Sequence, residues 1–427
     1  MSNRFFTHTI IVLVLLLFIV SPPASGSDFQ TVYDSAKKMR SFEIGERALE
    51  LAEINGDEQQ LAKAHSLIAF YQNEKGMYYQ ALNHYFSALF NYKKTRNYGR
   101  QIAMLKNIGI IYRVGGFYEK AIAFYKDAEA LAVELNDIKR KRSIKYQIAR
   151  IKRLSGDYKE AKAIYLNLIE QSDDFKNKNI LSDTYLELAL ISGTHEKDFR
   201  TSQEYLDLAV QVYEGEASTT SNAQFTKLTR INDMAHFEMV RGRVEASKEL
   251  LVNALDQANP NLSINKEILA KICMNLGAVY RQLNKPDSSV AMYEQGLVFM
   301  PLTSFDEKYI ETANLLYKHY KAKSPEKMDH YHNLIYQYGL EFAELKTQLI
   351  QASQEYQIRA ADYRRELDLR IAKEKRMLWW DIFFYALTFI IIASGIVFYR
   401  WEKKKRKKRL RKALDNARII VPLSSKY

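Results

Sequence analysis

One pattern recurs along this chain at a spacing of 40 residues, and it leaves little choice of fold. Its clearest copy is NIGIIYRVGGFYEKAIAFYKDA, Asn107–Ala128. Ile108, Gly109 and Tyr112 precede the pair Gly115-Gly116; Tyr118, Ala121, Tyr125 and Ala128 follow it. The apolar and small positions fall at helical spacing on both sides of the glycines, which predicts two short helices joined by a tight turn. Ala121 and Ala128 leave room for the helices to approach closely, and Tyr125 fills the space between them.

Moving 40 residues toward the N-terminus recovers Ile68-Ala69, Gly76, Tyr78, Ala81, Tyr85 and Ala88; moving as far the other way recovers Ile148-Ala149, Gly156, Tyr158, Ala161, Tyr165 and Leu168. Looser copies follow. One has Leu188-Ala189, Phe199, Ser202, Leu206 and Ala209, with one extra residue in its turn. Another has Met234-Ala235, Gly242, Ser247, Leu251 and Ala254, and the last clear one Leu276-Gly277, Tyr280, Ser289, Tyr293 and Gly296. Repetition at one fixed period is the signature of a stacked helical array, in which each unit buries its apolar face on its neighbours.

This pattern resembles the tetratricopeptide repeat (TPR), in the long-helix variety found in kinesin light chains and many bacterial regulators. The resemblance covers roughly residues 29–335, with clear repeats near 62–300, and implies an all-α solenoid over 27–335. It says little about function, because such arrays serve many unrelated proteins as scaffolds. No strand-like alternation competes with it.

The flanks carry a different message. Arg4 and His8 precede an apolar run, Ile10–Val20, and then SPPASG. A core of that length is too short to span a bilayer but suits a signal peptide, residues 1–26, with cleavage before Ser27; the alternative is an uncleaved anchor. The chain has one cysteine, Cys273, so no internal disulfide is expected, and its apolar helix position predicts packing. Glu214–Gln224, rich in small polar residues, predicts a loop or frayed helix end. YIETANLLYKHY and MDHYHNLIYQYGL read as a degenerate final helix pair.

Residues 336–377 then predict a connecting helix, with no Gly or Pro from Leu340 to Leu378 and a sequence rich in Glu, Gln, Arg and Ala. Its apolar series runs Leu345, Leu349, Ala352, Tyr356, Ala360, Tyr363, Leu367, Ile371 and Leu378. Leu345, Tyr356, Leu367 and Leu378 form one column at an eleven-residue period, which favours a nearly straight coil and a homodimer through Leu345–Leu378. The alternative is one helix laid against the last repeat. Residues 378–399 are apolar enough to span a membrane, flanked by Trp379 and Trp380 at one end and Tyr399 and Trp401 at the other. Asp381 sits near the outer interface, at headgroup level.

Arg400–Lys412 holds ten Lys or Arg in thirteen residues and carries +9 of the chain's formal +13. The positive-inside bias places 400–427 in the cytoplasm and the repeats outside, as expected for a single-pass protein of a bacterial cytoplasmic (inner) membrane with a periplasmic array. Contact with anionic lipid accounts for the basic run, and nucleic acid is not the expected partner. The whole resembles the exported sensory half of bacterial membrane-bound TPR regulators and sensor histidine kinases. In such relatives a kinase core or a DNA-binding domain follows the span, whereas here 28 residues follow Tyr399, with no phosphoacceptor motif and no ATP site among them. The expectation is a membrane-anchored binding or scaffolding protein, and the alternative is the sensory half of a truncated or split histidine kinase or transcriptional regulator lacking its output domain.

No catalytic motif stands out. The histidines are scattered, and there is no phosphate-cradling glycine loop, HExxH or G-x-S-x-G. The expectation is a protein that is not an enzyme and uses no cofactor and no metal. Function then falls to the surface, and the resemblance directs attention to the groove lined by the first helix of each pair. Counting from each small residue, the groove-facing candidates are Phe70, Asn73, Lys106, Ile110, Arg113, Tyr146, Arg150 and Arg153. Arginine pairs carboxylates in bidentate fashion and stacks on aromatic rings, so the expected partner is a protein or peptide with acidic groups; the plain alternative is a solvated charged face. The set departs from the carboxylate clamp of chaperone-binding relatives, since Phe70 stands where an Asn belongs.

Overall fold

The computed structural model describes residues 28–170, 178–214, 221–258, 263–300, 305 and 307–419. Residues 1–26, expected to form a signal peptide, lie outside these, as do 215–220 of the expected loop and 420–427 of the basic tail. The described residues are helical throughout and contain no strand. In chain order the helices are α1 (Phe29–Met39), α2 (Phe42–Asn55), α3 (Glu58–Glu74), α4 (Tyr78–Lys94), α5 (Tyr98–Val114) and α6 (Tyr118–Glu134). There follow α7 (Ile138–Leu154), α8 (Tyr158–Glu170), α9 (Lys178–Leu190), α10 (Phe199–Glu214), α11 (Ser221–Val240) and α12 (Val244–Gln257). The last are α13 (Ser263–Gln282), α14 (Pro286–Phe299), α15 (Glu307–Tyr320) and α16 (Pro325–Ile419). Odd and even helices pair in sequence as an all-α, TPR-type solenoid.

The turns explain the period. Within a pair, the first helix ends on a residue in the left-handed region: Gly116 has φ 77°, and Phe117 N–H donates back to the Tyr112 carbonyl at 2.8 Å. Between pairs, the next helix is capped by a short polar side chain at the same 40-residue interval. Asp57 accepts from the Gln59 and Gln60 amides, Asn97 from Arg100 and Asp137 from Arg140.

The packing explains the small residues. A Cβ on Gly109 would lie 2.6 Å from the Tyr125 ring, and one on Gly277 2.6 Å from Tyr293. At Gly109 and Gly277 the small residue of the first helix thus receives the large ring of the second, and Tyr85, Tyr125 and Tyr165 are fully buried; Leu206 and Leu251 take that place in the two copies between Tyr165 and Tyr293. In the later pairs Ser replaces Ala on the second helix. Its hydroxyl then donates to the carbonyl of the small residue opposite: Ser202 to Ala189 at 2.6 Å, Ser247 to Ala235 at 2.6 Å and Ser289 to Gly277 at 2.7 Å. The extra residue of the fourth copy is absorbed by a π-helical turn, Ile191–His195, at the end of α9. Cys273 is buried, as its apolar position predicts.

The array curves round on itself. Phe305, just before α15, packs on Tyr78 at the start of α4, with ring centroids 6.1 Å apart, and on Tyr338 and Phe342 of α16. The residues expected to form a final degenerate pair are α15 and the start of α16, held together by Glu294 of α14. That carboxylate accepts from the Tyr320 and Tyr331 hydroxyls at 3.0 and 3.1 Å and from Lys327 at 2.9 Å. No helix break occurs at 335/336. Two compact units divide instead at residues 354 and 355.

This division corrects part of the expected dimer stripe. Leu345, Leu349 and Ala352 are buried inside the first unit. Leu349 sits in the notch left by Gly115, where a Cβ would stand 2.4 Å from its Cδ1, and Ser353 accepts from Lys120 at 3.0 Å. Those three apolar positions are therefore closed to a second chain. In the second unit, Leu367, Ile371 and Leu378 are exposed. That unit also contains the one stretch among the described residues long and apolar enough to cross a membrane, with a mean hydropathy of 2.3 over 18 residues and none of it buried.

Candidate functional site

Successive first helices approach one another (α7 with α9, α11 with α13, α13 with α15), whereas successive second helices do not come as close. The first helices therefore lie on the inside of the curve, and their free faces line one continuous inner surface.

All the residues singled out from the sequence lie on these helices, but they do not form one basic cluster. Arg150 and Arg153 of α7 both turn to Glu187 of α9, Arg150 at 3.8 Å and Arg153 in close contact. Glu187 is only 7% exposed, so this triad is a cross-brace between two repeats in which two arginines share one largely buried carboxylate. The expectation that Arg150 and Arg153 await an acidic ligand is corrected in part: they share one carboxylate already in the chain, with Arg153 the closer. Tyr146 is half-buried, with its ring 5.9 Å from that of Tyr165. Burial, with Glu187 and Asp183 nearby, pushes its hydroxyl well above the ordinary phenol range. It packs as much as it lines.

Lys106 and Arg113 of α5 differ. Among the described residues, neither makes an ion pair with a carboxylate. Burial lowers the Lys106 pKa, with Arg140 adding to the effect. Burial likewise lowers that of Arg113, with Arg150 as the nearest aggravating charge. The Tyr125 and Tyr118 hydroxyls lie beside Arg113, with no carboxylate among the groups that act on it. One repeat earlier, at the position equivalent to Arg113, the side-chain oxygen of Asn73 is buried without a hydrogen-bond partner. Phe70 remains 43% exposed at the inner edge.

The later repeats contribute residues that the sequence reading overlooked. Arg230 of α11 reaches Asp183 of α9 at 3.7 Å. Asn275 of α13 donates to Asn232 of α11 at 2.8 Å and accepts from Lys308 of α15 at 2.8 Å. Asp233 makes no ion pair among the described residues; its nearest polar partner is the Asn232 amide at 3.4 Å. Burial raises the Asp233 carboxyl to about 6, Glu187 pushes in the same direction and Lys308 opposes both. Burial also raises Asp183 to about 6, against the pull of Arg230. His236, one turn along from Asn232, is pushed down to about 4 by burial and by Lys308.

A signal for these residues existed. Two positions before each small residue stand Asn107, Gln147, Glu187, Asp233 and Asn275, a polar ladder broken only by Leu67 in the first clear copy. A position that is polar in five copies, buried at Glu187 and Asn275 and half-buried at Asn107, Gln147 and Asp233, is a poor core and a good groove lining.

Comparison with known proteins agrees with this architecture. A family model described as "Tetratricopeptide repeat" matches residues 143–175 and 270–297, each match beginning in a first helix. No curated protein matches the chain. Among solved structures, the apo form of the quorum sensor NprR from B. thuringiensis is similar at 15% identity and a TM-score of 0.52, covering 79% of this chain and 94% of that one. NprR in complex with its cognate peptide NprX is similar at 16% identity and a TM-score of 0.52, with the same coverage. At that identity the likeness is one of fold.

Proposed function

We propose that this protein is a membrane-anchored TPR receptor or scaffold that binds a peptide, or an extended segment of a protein, on the inner face of its first helices. The observation that carries the reading is the pair of uncompensated cations, Lys106 and Arg113, lowered in pKa by burial yet without a carboxylate on the inner surface. Such charges cost stability, and a ligand carboxylate would offset that cost. The fold likeness to NprR, which has been solved with a peptide, supports the same class of ligand.

The second unit serves as the anchor. In this reading residues 378–399 span a bacterial cytoplasmic membrane, the array lies on its outer side and Arg400–Lys412 meets anionic lipid on the inner side. Protease added to spheroplasts should then degrade residues 27–377, and a C-terminal reporter active only outside the cytoplasm should be silent. The chain pairs with a second copy through the exposed part of the stripe, Tyr356–Leu378. A single cysteine at Leu367 should cross-link in membranes and one at Leu345 should not; cross-linking at Leu345 would contradict the burial described above.

The binding reading is tested with the full chain in lipid nanodiscs, panned against a library of random peptides that carry a photoreactive group. Binders should cross-link to α5, α7 and α9. A library without binders, or cross-links confined to the second helices of the pairs, would refute it.

A further inference from the structure

The inner face is electrically ordered along its length. Resting on the peptide-binding reading above, we infer that it selects a bipolar segment held in one direction, with an acidic group at Lys106 and Arg113 and a basic group at Asp233.

In the middle of the face Glu187 takes both Arg150 and Arg153, and Arg230 faces Asp183. These groups brace adjacent repeats, and a ligand that captured one of them would leave its partner buried and unpaired, a large penalty. They are thus poor docking charges. The groups with no ion-pair partner among the described residues lie on either side. Toward the N-terminal repeats are Lys106 and Arg113, with the buried Asn73 oxygen in the next repeat as a further acceptor awaiting a donor.

Toward the C-terminal repeats is Asp233. The two lysines whose fields reach it are engaged elsewhere: Lys308 donates to Asn275 at 2.8 Å, and Lys271 pairs with Glu267 at 2.6 Å. Asp233 is also the one member of the polar ladder that is acidic and has no arginine opposite it. An acidic group and a basic group on one extended segment would satisfy both ends at once. The reversed segment would place like charges together at both ends, which is how an interface rejects an orientation.

The test uses the full chain in nanodiscs and a library of random dodecapeptides with free termini. Selected sequences should share one acidic and one basic position in a single order, at constant spacing. Synthetic copies of a selected peptide then carry Gln at the acidic position or at the basic one. Arg113→Gln and Lys106→Gln should each weaken the parent peptide by about tenfold or more, yet make little difference to the copy lacking its acidic residue. Asp233→Asn should show the same pairing with the copy lacking its basic residue. Lys106→Gln serves as the second variant at the basic end should Arg113→Gln fold poorly, and Asp233→Asn keeps the shape of the side chain. Binders of random charge order, or variants whose losses are the same for every copy, would overturn the inference while leaving peptide binding intact. A library that yields no binder overturns both.

Discussion

The repeats of α3–α8 and those of α9–α14 solve the same packing problem with different chemistry. In the earlier set Gly or Ala meets Ala, the pair closes on a buried Tyr, and the 40-residue period is strict. In the later set Ser meets Ala or Gly and its hydroxyl is tied to a backbone carbonyl, while a π-turn takes up an extra residue. The later set also carries the buried carboxylates and amides of the inner face. The earlier set gains in addition the contact of α16, through Leu349 on Gly115 and Ser353 on Lys120. Regularity and reinforcement therefore concentrate where the basic part of the inner face lies, and buried polarity concentrates further along. Rigid packing under one part of a groove and a costly polar lining in the other is a division expected of a binding surface.

The sharpest way to break this comparison is at Gly109. Gly109→Leu drives a side chain into the Tyr125 ring and should lower stability by about 3 kcal/mol, whereas Lys139→Leu, on an exposed site, should shift it by less than about 0.5 kcal/mol. Equal melting shifts for the two would mean that the register of small residues is not what holds the repeats.

Next in size is the reinforcement. Leu349→Ala should cost about 2–3 kcal/mol, because it empties a fully buried position, while Leu369→Ala on the same helix should cost almost nothing. A null result for Leu349 would detach α16 from the account of the earlier repeats.

The polar half is probed by pH. Asp233 has a folded pKa of about 6, above its ordinary value, so its contribution to stability falls as pH rises through about 4 to 6. His236 has a folded pKa of about 4, below its ordinary value, so its contribution rises as pH climbs from about 4 to 6.5. The two oppose each other. Relative to the parent, Asp233→Asn should therefore gain stability with rising pH and His236→Gln should lose it, each by on the order of 1 kcal/mol in denaturant titrations at pH 4.5 and 7. Parallel curves for all three proteins would show that neither group is desolvated.

The smallest expected effect separates the two packing chemistries. Ser247→Ala should cost about 1 kcal/mol, since a buried hydroxyl–carbonyl bond is lost. Ala121→Ser should be tolerated, since the same carbonyl, now that of Gly109, stands opposite. A large loss for Ala121→Ser would mean that the earlier repeats close more tightly than the later ones.

Much of this fold was legible because each repeat restates it. Gly109, Tyr125 and Ala121 can be placed from local spacing alone, and their equivalents appear again at Ala149, Tyr165 and Ala161. The inner face was harder to read, because its meaning lies between repeats. Arg150 and Arg153 look like free cations until Glu187, in the next first helix, is placed against them. The division of α16 was not legible from its own pattern either. Its apolar stripe is continuous, and what separates Leu349 from Leu367 is Gly115, a residue far away in sequence whose φ of −74° needs no glycine and whose smallness serves only to admit Leu349.

The central claim is that ligand is held by the unpaired charges of the inner face and not by the paired ones. Calorimetric titration of the full chain in nanodiscs with a library-selected peptide measures this directly, comparing the parent with a Lys106→Gln, Arg113→Gln double variant. The account predicts a loss of affinity of about a hundredfold with a melting temperature that is raised or unchanged, since the charges removed are ones that cost the free protein stability. Undiminished affinity in a folded double variant would contradict it.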